Sequence, residues 1–488
     1  MLNLRVLIKG GSLARLPKPG GDAGNWGDVL NDFLAVSHDT SGAITTAAIV
    51  NAGAVIKGEL VFNVRDYGAA GDGITDDADA FQAAIAACAQ VNGGTVYVPP
   101  ASHPYLIGHP LELAKPMAII GCNWESTVLR LKPSVNDFMF KFAQASDKVM
   151  FGMIFRNLKF ELDAPGQTAG GGISAISALH CVIDHVWFNA PRDFAIKFTQ
   201  NSSGNGHHNK ISHCLFDSNS MLSDGQGLAL YFAGADECFI TDNDFENMGG
   251  ATGCSVMDFN GSNHYIGNVF VNCNGGIFQR DTQRGVIVGN IFDTMGGDSC
   301  VKLGGGRGNM SIANNEFFNV GDGPNANNTY CILFVWTDGI SSVTGNVFEM
   351  SSSGQTAGAI GFNSGQAVTS TTITGNTVRI LANPSQAIIA GTAQLTKGCI
   401  ISANAGYNPI GALSAPSVPA SDVAYTPSFA ADCMVYVTAN ASGTVTISLD
   451  GSAVGSVANG NTVGVHVPLA TPITLTYSAA PTWAWIGQ

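Results

Sequence analysis

The sequence predicts an all-β chain wound into a β-helix, a single-stranded solenoid of short strands. Three observations predict it. A phrase of a β-type residue, a small residue, Asn, one further residue and Phe or Val recurs along the middle of the chain. It reads ITDNDF at Asn243, YIGNVF at Asn268, IVGNIF at Asn290, IANNEF at Asn315, VTGNVF at Asn346, ITGNTV at Asn376 and ISANAG at Asn404. Looser forms precede it at Asn157, His185 and His213. The mean step is about 27 residues, and a fixed period of ~20–50 residues marks a solenoid, propeller or array. Second, the stretches between markers are short and strand-like, among them SVMDF, GIFQR, CVKLG, CILFVW and AIGF, with no helix-forming run between Asn157 and Asn404. Third, the chain is rich in turn formers and poor in charge: 60 of its 488 residues are Gly and 12% are charged, about half the typical ~25%. A β-propeller is the alternative, but its blades need about 40 residues or more.

Each repeated element has a physical reason. Asn tolerates the left-handed backbone of a turn, and its amide can hydrogen-bond the next rung. Phe, Val and Cys suit the interior, because a rung buries its face only against its neighbours. The 11 cysteines are odd in number and form no CxxC pair. Cys181, Cys214, Cys238, Cys254, Cys273, Cys300 and Cys331 come about one per repeat. They read as buried thiols, in keeping with synthesis in a reducing cytoplasm. Residues 61–107 read as strand, Gly-rich turn, helix, turn and strand. Asp76 or Asp77 caps the helix, whose apolar face is Phe81, Ala84, Ile85 and Cys88. A helix there would close the open end of the solenoid core. Residues 409–424 are rich in Pro, Ala and Ser, a linker. Alternating strands follow around 434–437, 444–447, 463–467 and 473–477, a small β-sandwich module. The expected division is 1–58, 59–408 and 409–488.

The charge balance excludes several classes. With 22 basic and 36 acidic residues the net charge is −14, against a nucleic-acid partner or a polybasic membrane anchor. No apolar run nears the ~18 residues of a membrane span, so no membrane insertion is expected. Residues 1–15 lack the long apolar stretch of an export signal.

The run Asp66-Tyr67-Gly68, Gly71-Asp72-Gly73, Thr75-Asp76-Asp77 and Gly93-Gly94-Thr95-Val96 resembles the opening of pectate-lyase-superfamily right-handed parallel β-helices, a fold shared by phage tailspikes. Residues 19–42 resemble a leader of phage tail proteins; Trp26, Val29, Leu30, Phe33 and Leu34 would lie on one helix face. The C-terminal Pro481-Thr482-Trp483 resembles the ending of some phage and prophage β-helix proteins. Trp483 and Trp485 either stack on sugar rings or belong to a core or a trimer contact. The resemblance implies a tailspike-like polysaccharide depolymerase, a glycoside hydrolase or polysaccharide lyase, working as a homotrimer with phage tail proteins as partners. Its place would be the virion tail or the extracellular space. A non-catalytic receptor-binding or structural tail fibre, and a free bacterial lyase, are the rival readings.

Candidate site residues come from aligning the second strand of each unit by its distance from the marker. Lys197, Tyr231, Asp258, Asp281 and Lys302 then form one polar stripe, with Arg280 and Arg307 beside it. Lys197, Tyr231 and Lys302 are flanked by apolar residues and should point outward; the face of Asp258 is open. Neighbouring rungs stand ~4.8 Å apart. Retaining glycosidases need carboxyls about 5–5.5 Å apart and inverting ones about 6.5–9.5 Å, so the rungs themselves set catalytic spacings. A hydrolase would use Asp258 and Asp281, with Asp298 in reserve. A lyase would use Lys302, Arg280 or a His as base, with cations or Ca²⁺ neutralising a uronate. Lys197, Tyr231, Arg280, Arg307 and Trp336 are the substrate-binding candidates. The bland reading of each is a solvated outer-face residue. No cofactor is expected, and no metal is assigned, His207-His208 included.

Overall fold

In this computed structural model the described residues are 60–487, apart from 143–149, 201–205, 219–226, 251–252, 282–283, 298, 306–308, 327–328, 337–340, 351–355, 363–369, 381–386, 391–397, 408–410 and 428–431. The helix expected within 19–42 lies outside them.

The GDG and TDD run folds as a set of acid-closed turns ahead of one helix, α1 (Ala78–Gln90). Phe81, Ala84, Ile85 and Cys88 are buried on its inner face, as the spacing predicts. The two cap candidates divide the work. Asp77 stands at the N-cap position but bonds the preceding turn, accepting the N–H groups of Ala70 and Gly71 at 2.6 and 3.2 Å. Asp76 accepts the Ala78 N–H at 3.1 Å and so serves the helix start. Asp72 accepts the N–H groups of Ile74 and Thr75.

Behind this cap the chain winds as a parallel β-solenoid. Each full turn contributes strands to three files. Two files make a 22-stranded sheet and the third an 11-stranded sheet. In the first file Ile183, Ile211, Ile240 and Tyr265 pair rung on rung. In the second, the marker's Phe residues stack. The rings of Phe188, Phe216, Phe245, Phe270, Phe292, Phe317 and Phe348 lie face to face, 4.4 to 5.1 Å apart. That separation is the rung spacing, so backbone pairing and ring stacking favour the same register.

The marker Asn residues form a continuous buried ladder from Asn243 to Asn404. Asn290 is typical. Its backbone N–H and its Nδ2 both donate to Asn315 Oδ1 at 2.9 Å, and Nδ2 also donates to the Tyr265 carbonyl at 3.0 Å. The looser forms are corrected by one residue. Asn157, His185 and His213 occupy the left-handed turn position with Asp242 and Asn314, at φ between 52° and 58°. Leu158, Val186 and Cys214 take the Asn place, and the ladder closes where the Cys214 N–H donates to Asn243 Oδ1. All eleven cysteines are free thiols, and ten are buried.

Residues beyond the solenoid form two four-stranded antiparallel sheets. The expected strands appear, joined by Ser452–Ala458 and Thr482–Gly487. Trp483 and Trp485 are core residues: both are buried, and Trp483 Nε1 donates to the Pro416 carbonyl at 2.7 Å.

Candidate functional site

Strand alternation decides which residues of the 11-stranded sheet face out. In Phe194–Thr199, Ile196 and Phe198 point into the core, so Lys197 points outward. Parallel register carries that position through Tyr231, Met257, Phe278 and Lys302 on successive rungs. Lys197, Tyr231 and Lys302 therefore share one outer file, as the sequence alignment placed them.

Asp258 does not join it. The buried neighbour Val256 fixes the alternation, and Asp258 falls inward between Phe232 and Gln279. Its side chain is wholly buried. Gln279 Nε2, Asn263 Nδ2 and the Tyr265 hydroxyl donate to it at 2.9, 3.1 and 3.2 Å. Burial pushes its carboxyl up to about 6, and these three bonds hold the rise back. Asp281 lies just past the end of Ile277–Arg280, exposed, in a left-handed turn at φ 58°. Arg280 sits on the neighbouring outer file, after Phe259, and its Nε lies 3.3 Å from Asp281 Oδ2. Asp258 and Asp281 thus do not form the paired carboxylates of a hydrolase. Asp298, Arg307 and the Trp336 side chain lie outside the described residues.

The structure adds an aromatic surface that marker spacing did not show. Phe194 and Tyr231 are 4.8 Å apart, Tyr231 and Phe259 5.8 Å, and Phe259 and Phe278 6.0 Å. Lys197 Nζ lies 5.3 Å from the Phe194 ring and 5.7 Å from Tyr231, and Lys302 Nζ 5.3 Å from Phe278. Each is at cation–π range. One glycine makes room at the end of this surface. A Cβ at Gly171 would press on the Phe138 ring and overlap the Phe194 carbonyl, and across it Phe138 and Phe194 lie parallel, 6.5 Å apart. The signal for two of these aromatics is alternation, since Phe259 and Phe278 sit at outward parity in their strands; Phe194 shares the parity of the inward Ile196 and Phe198, so alternation does not show it.

At the Lys302 end the surface opens into a cleft of about 460 Å³ lined by Met257, Phe278, Lys302, Asn274, Ser299 and Asn325, among others. Asn274 is 5% exposed, and its Nδ2 bonds the carbonyls of Gly249 and Gly250. Its Oδ1 has no partner among the described residues. A buried acceptor of that kind suits a hydroxyl or N–H donor. The cleft lining among the described residues carries a cation and amides, but no carboxylate. A second cleft, of about 430 Å³, lies on the other sheet around Glu237, His264 and Arg284. Glu237 is already engaged there by His208 at 2.9 Å and Arg284 at 3.4 Å.

Residues 61–304 match the family described as rhamnogalacturonase A/epimerase, pectate lyase-like. The chain is similar to alginate lyase 7 of Azotobacter vinelandii, 41% identical over 77 residues, 15% of this chain and 9% of that protein. It is also similar to mannuronan C5-epimerase AlgE6 of the same organism, 41% identical over 75 residues, covering 14% and 9%. The chain therefore spans about a tenth of the length of these relatives. Among solved structures it is similar to a tailspike protein of E. coli bacteriophage HK620 in complex with a pentasaccharide. That match has a TM-score of 0.50 at 12% identity and covers 95% of this chain and 94% of the other.

Proposed function

The chain belongs to the rhamnogalacturonase A/epimerase, pectate lyase-like family, and from that membership and its outer aromatic file we propose that it binds an extracellular or cell-surface polysaccharide and depolymerises it. The observation that carries the reading is the file Lys197–Tyr231–Met257–Phe278–Lys302. Rings spaced by rungs offer flat apolar faces to successive sugars, and two cations flank them. A lysine at each end favours a chain carrying carboxylates.

The reaction we infer is elimination rather than hydrolysis. The specific observation is the inward turn of Asp258, which leaves Asp281 without its expected carboxylate partner. In elimination a base, Arg280 or a His in the sequence reading or hydroxide from water, takes the proton beside a uronate carboxylate; the C–H electron pair forms the C=C bond, the glycosidic C–O bond breaks, and water protonates the departing oxygen. Lys302 would stand against the carboxylate, where negative charge grows as the proton leaves. The likeness to a tailspike over nearly the whole chain supports a virion-tail or extracellular setting, and the homotrimer that the sequence resemblance implies is proposed with it.

The test is incubation with a panel of bacterial capsules and exopolysaccharides, read for reducing ends and for the ultraviolet absorbance of an unsaturated uronate. Both signals together support elimination. Reducing ends alone would return the reading to hydrolysis. Binding without either signal would make the protein a non-catalytic receptor-binding fibre. Sedimentation equilibrium checks the trimer: a single-chain mass would remove it.

A further inference from the structure

The left-handed turn position that precedes the Asn ladder is filled mostly by residues that tolerate it: Asn157, Asp242, Gly267, Gly289 and Asn314. Two consecutive rungs carry histidine instead, His185 and His213, each at φ 52°. Their imidazoles stack 4.9 Å apart at 26°. Both turn Nδ1 toward one carboxylate. Asp184 Oδ1 lies 2.9 Å from His213 Nδ1, and Oδ2 lies 3.1 Å from His185 Nδ1. The three ligating atoms are all within 4.8 Å of one another.

We propose that Asp184, His185 and His213 form a binding site for one divalent transition-metal ion of the Zn²⁺, Co²⁺ or Ni²⁺ class, clipping two rungs together on the outer face of the solenoid. Two imidazoles and one carboxylate are a donor set these ions prefer, and three protein ligands leave a position for water. Nitrogen donors disfavour Ca²⁺ and Mg²⁺, which take oxygen. The spacing follows from the fold: adjacent rungs bring equivalent side chains about 4.8 Å apart, and a small turn of each ring brings both Nδ1 atoms onto one ion. Ser212 Oγ donates to Asp184 Oδ1 at 3.0 Å and steadies the carboxylate. One group opposes the ion. Arg156 Nε donates to Asp184 Oδ2 at 3.0 Å, and a guanidinium and a metal ion repel each other at one oxygen. Arg156 is long and 45% exposed, so it leaves for solvent when the ion binds, at a cost to affinity.

The test uses the full chain, stripped with a chelator and titrated with Co²⁺ and then Zn²⁺. The visible absorption of bound Co²⁺ reports nitrogen ligation. The expected result is a Co²⁺ band displaced by Zn²⁺. The chain has 10 His, so location decides the matter. His185→Asn and His213→Asn place at each turn the residue that the same position carries at Asn157 and Asn314. The circular dichroism of the chelated variants should match the parent. Each should weaken Zn²⁺ binding by at least about tenfold. Arg156→Gln should tighten it by a similar factor, by removing the competing cation. No Co²⁺ band at submillimolar metal would overturn the proposal. So would unchanged affinity in both histidine variants, or in Arg156→Gln.

Discussion

Asp258 puts a carboxylate inside a hydrocarbon stack, with Phe232 on the rung before it. The sequence leaves its face open, because apolar residues stand at both parities of Val256-Met257-Asp258-Phe259. Strict alternation from Val256 places it inside. What makes that placement tolerable lies outside its own strand: Asn263 and Tyr265 follow within seven residues, past the strand end, and Gln279 comes from the next rung. No local pattern shows such a network. The consequence is a pH-dependent stability. The folded carboxyl is raised from 3.8 to about 6, so between these values the native state holds a proton that the unfolded chain has lost. Its contribution is full below the lower value and is lost as pH rises through the upper one. Asp258→Asn cannot ionise, and its amide can donate to Gln279 Oε1, which has no partner among the described residues. Relative to the parent, its unfolding free energy in urea should climb by about 2.4 kcal/mol between about pH 4 and pH 7. Parallel pH profiles would show that the carboxylate is not the titrating group. On the outer face the residue-scale prediction concerns Tyr231. Tyr231→Ala removes the ring between Phe194 and Phe259 and should weaken polysaccharide binding by about 1 kcal/mol, roughly fivefold, with the melting temperature little changed. Unaltered affinity would move the binding surface off this file.

At the scale of the element, the Asn and Phe ladders were the most legible features, because each recurs with the period of the coil. Their stacking follows from rung spacing alone. The three looser markers were read one residue out, since Asn157, His185 and His213 imitate the marker Asn at the turn beside it. The turn selects for a left-handed backbone and the ladder for an amide, and Asn satisfies both, so local sequence does not separate them. The paired strand file identifies the offset at once. The ladder also predicts a cost. Asn315→Ala removes the acceptor of the Asn290 N–H and Nδ2, and its own Nδ2 donors to the Ile287 carbonyl and to Asn346. These groups are buried, and water does not replace the amide. A loss of about 2–4 kcal/mol is expected, read as a lower urea midpoint with little change in slope. An unchanged midpoint would show that these ladder bonds do not stabilise the fold.

At the scale of the whole molecule, the solenoid turns a one-dimensional register into a one-dimensional binding surface. The sequence could place Lys197 and Lys302 on one file because the coil repeats between them. It could not place the aromatic path, which leaves the lysine file: Phe194 lies three residues before Lys197 and Phe259 two residues after Met257, and their rings reach Tyr231 and Phe278. The length of that path is a prediction. Lys197 and Lys302 are four rung steps apart, about 19 Å, and a sugar residue in an extended chain advances by roughly one rung. The flat file should therefore hold about four sugars between its lysines. Affinity for a series of oligosaccharides from a substrate that binds should rise steeply up to about that length and then level off, because added sugars meet no further rings on this file. Raising the salt concentration should weaken the longer members most, since only they reach both cations. Lys302→Ala should shorten the plateau by about one sugar and flatten the salt dependence, leaving the affinity of the shortest oligosaccharides nearly unchanged. A series with no length dependence would place recognition in the 460 Å³ cleft alone. Lys197 and Phe194 would then be surface residues with no part in binding.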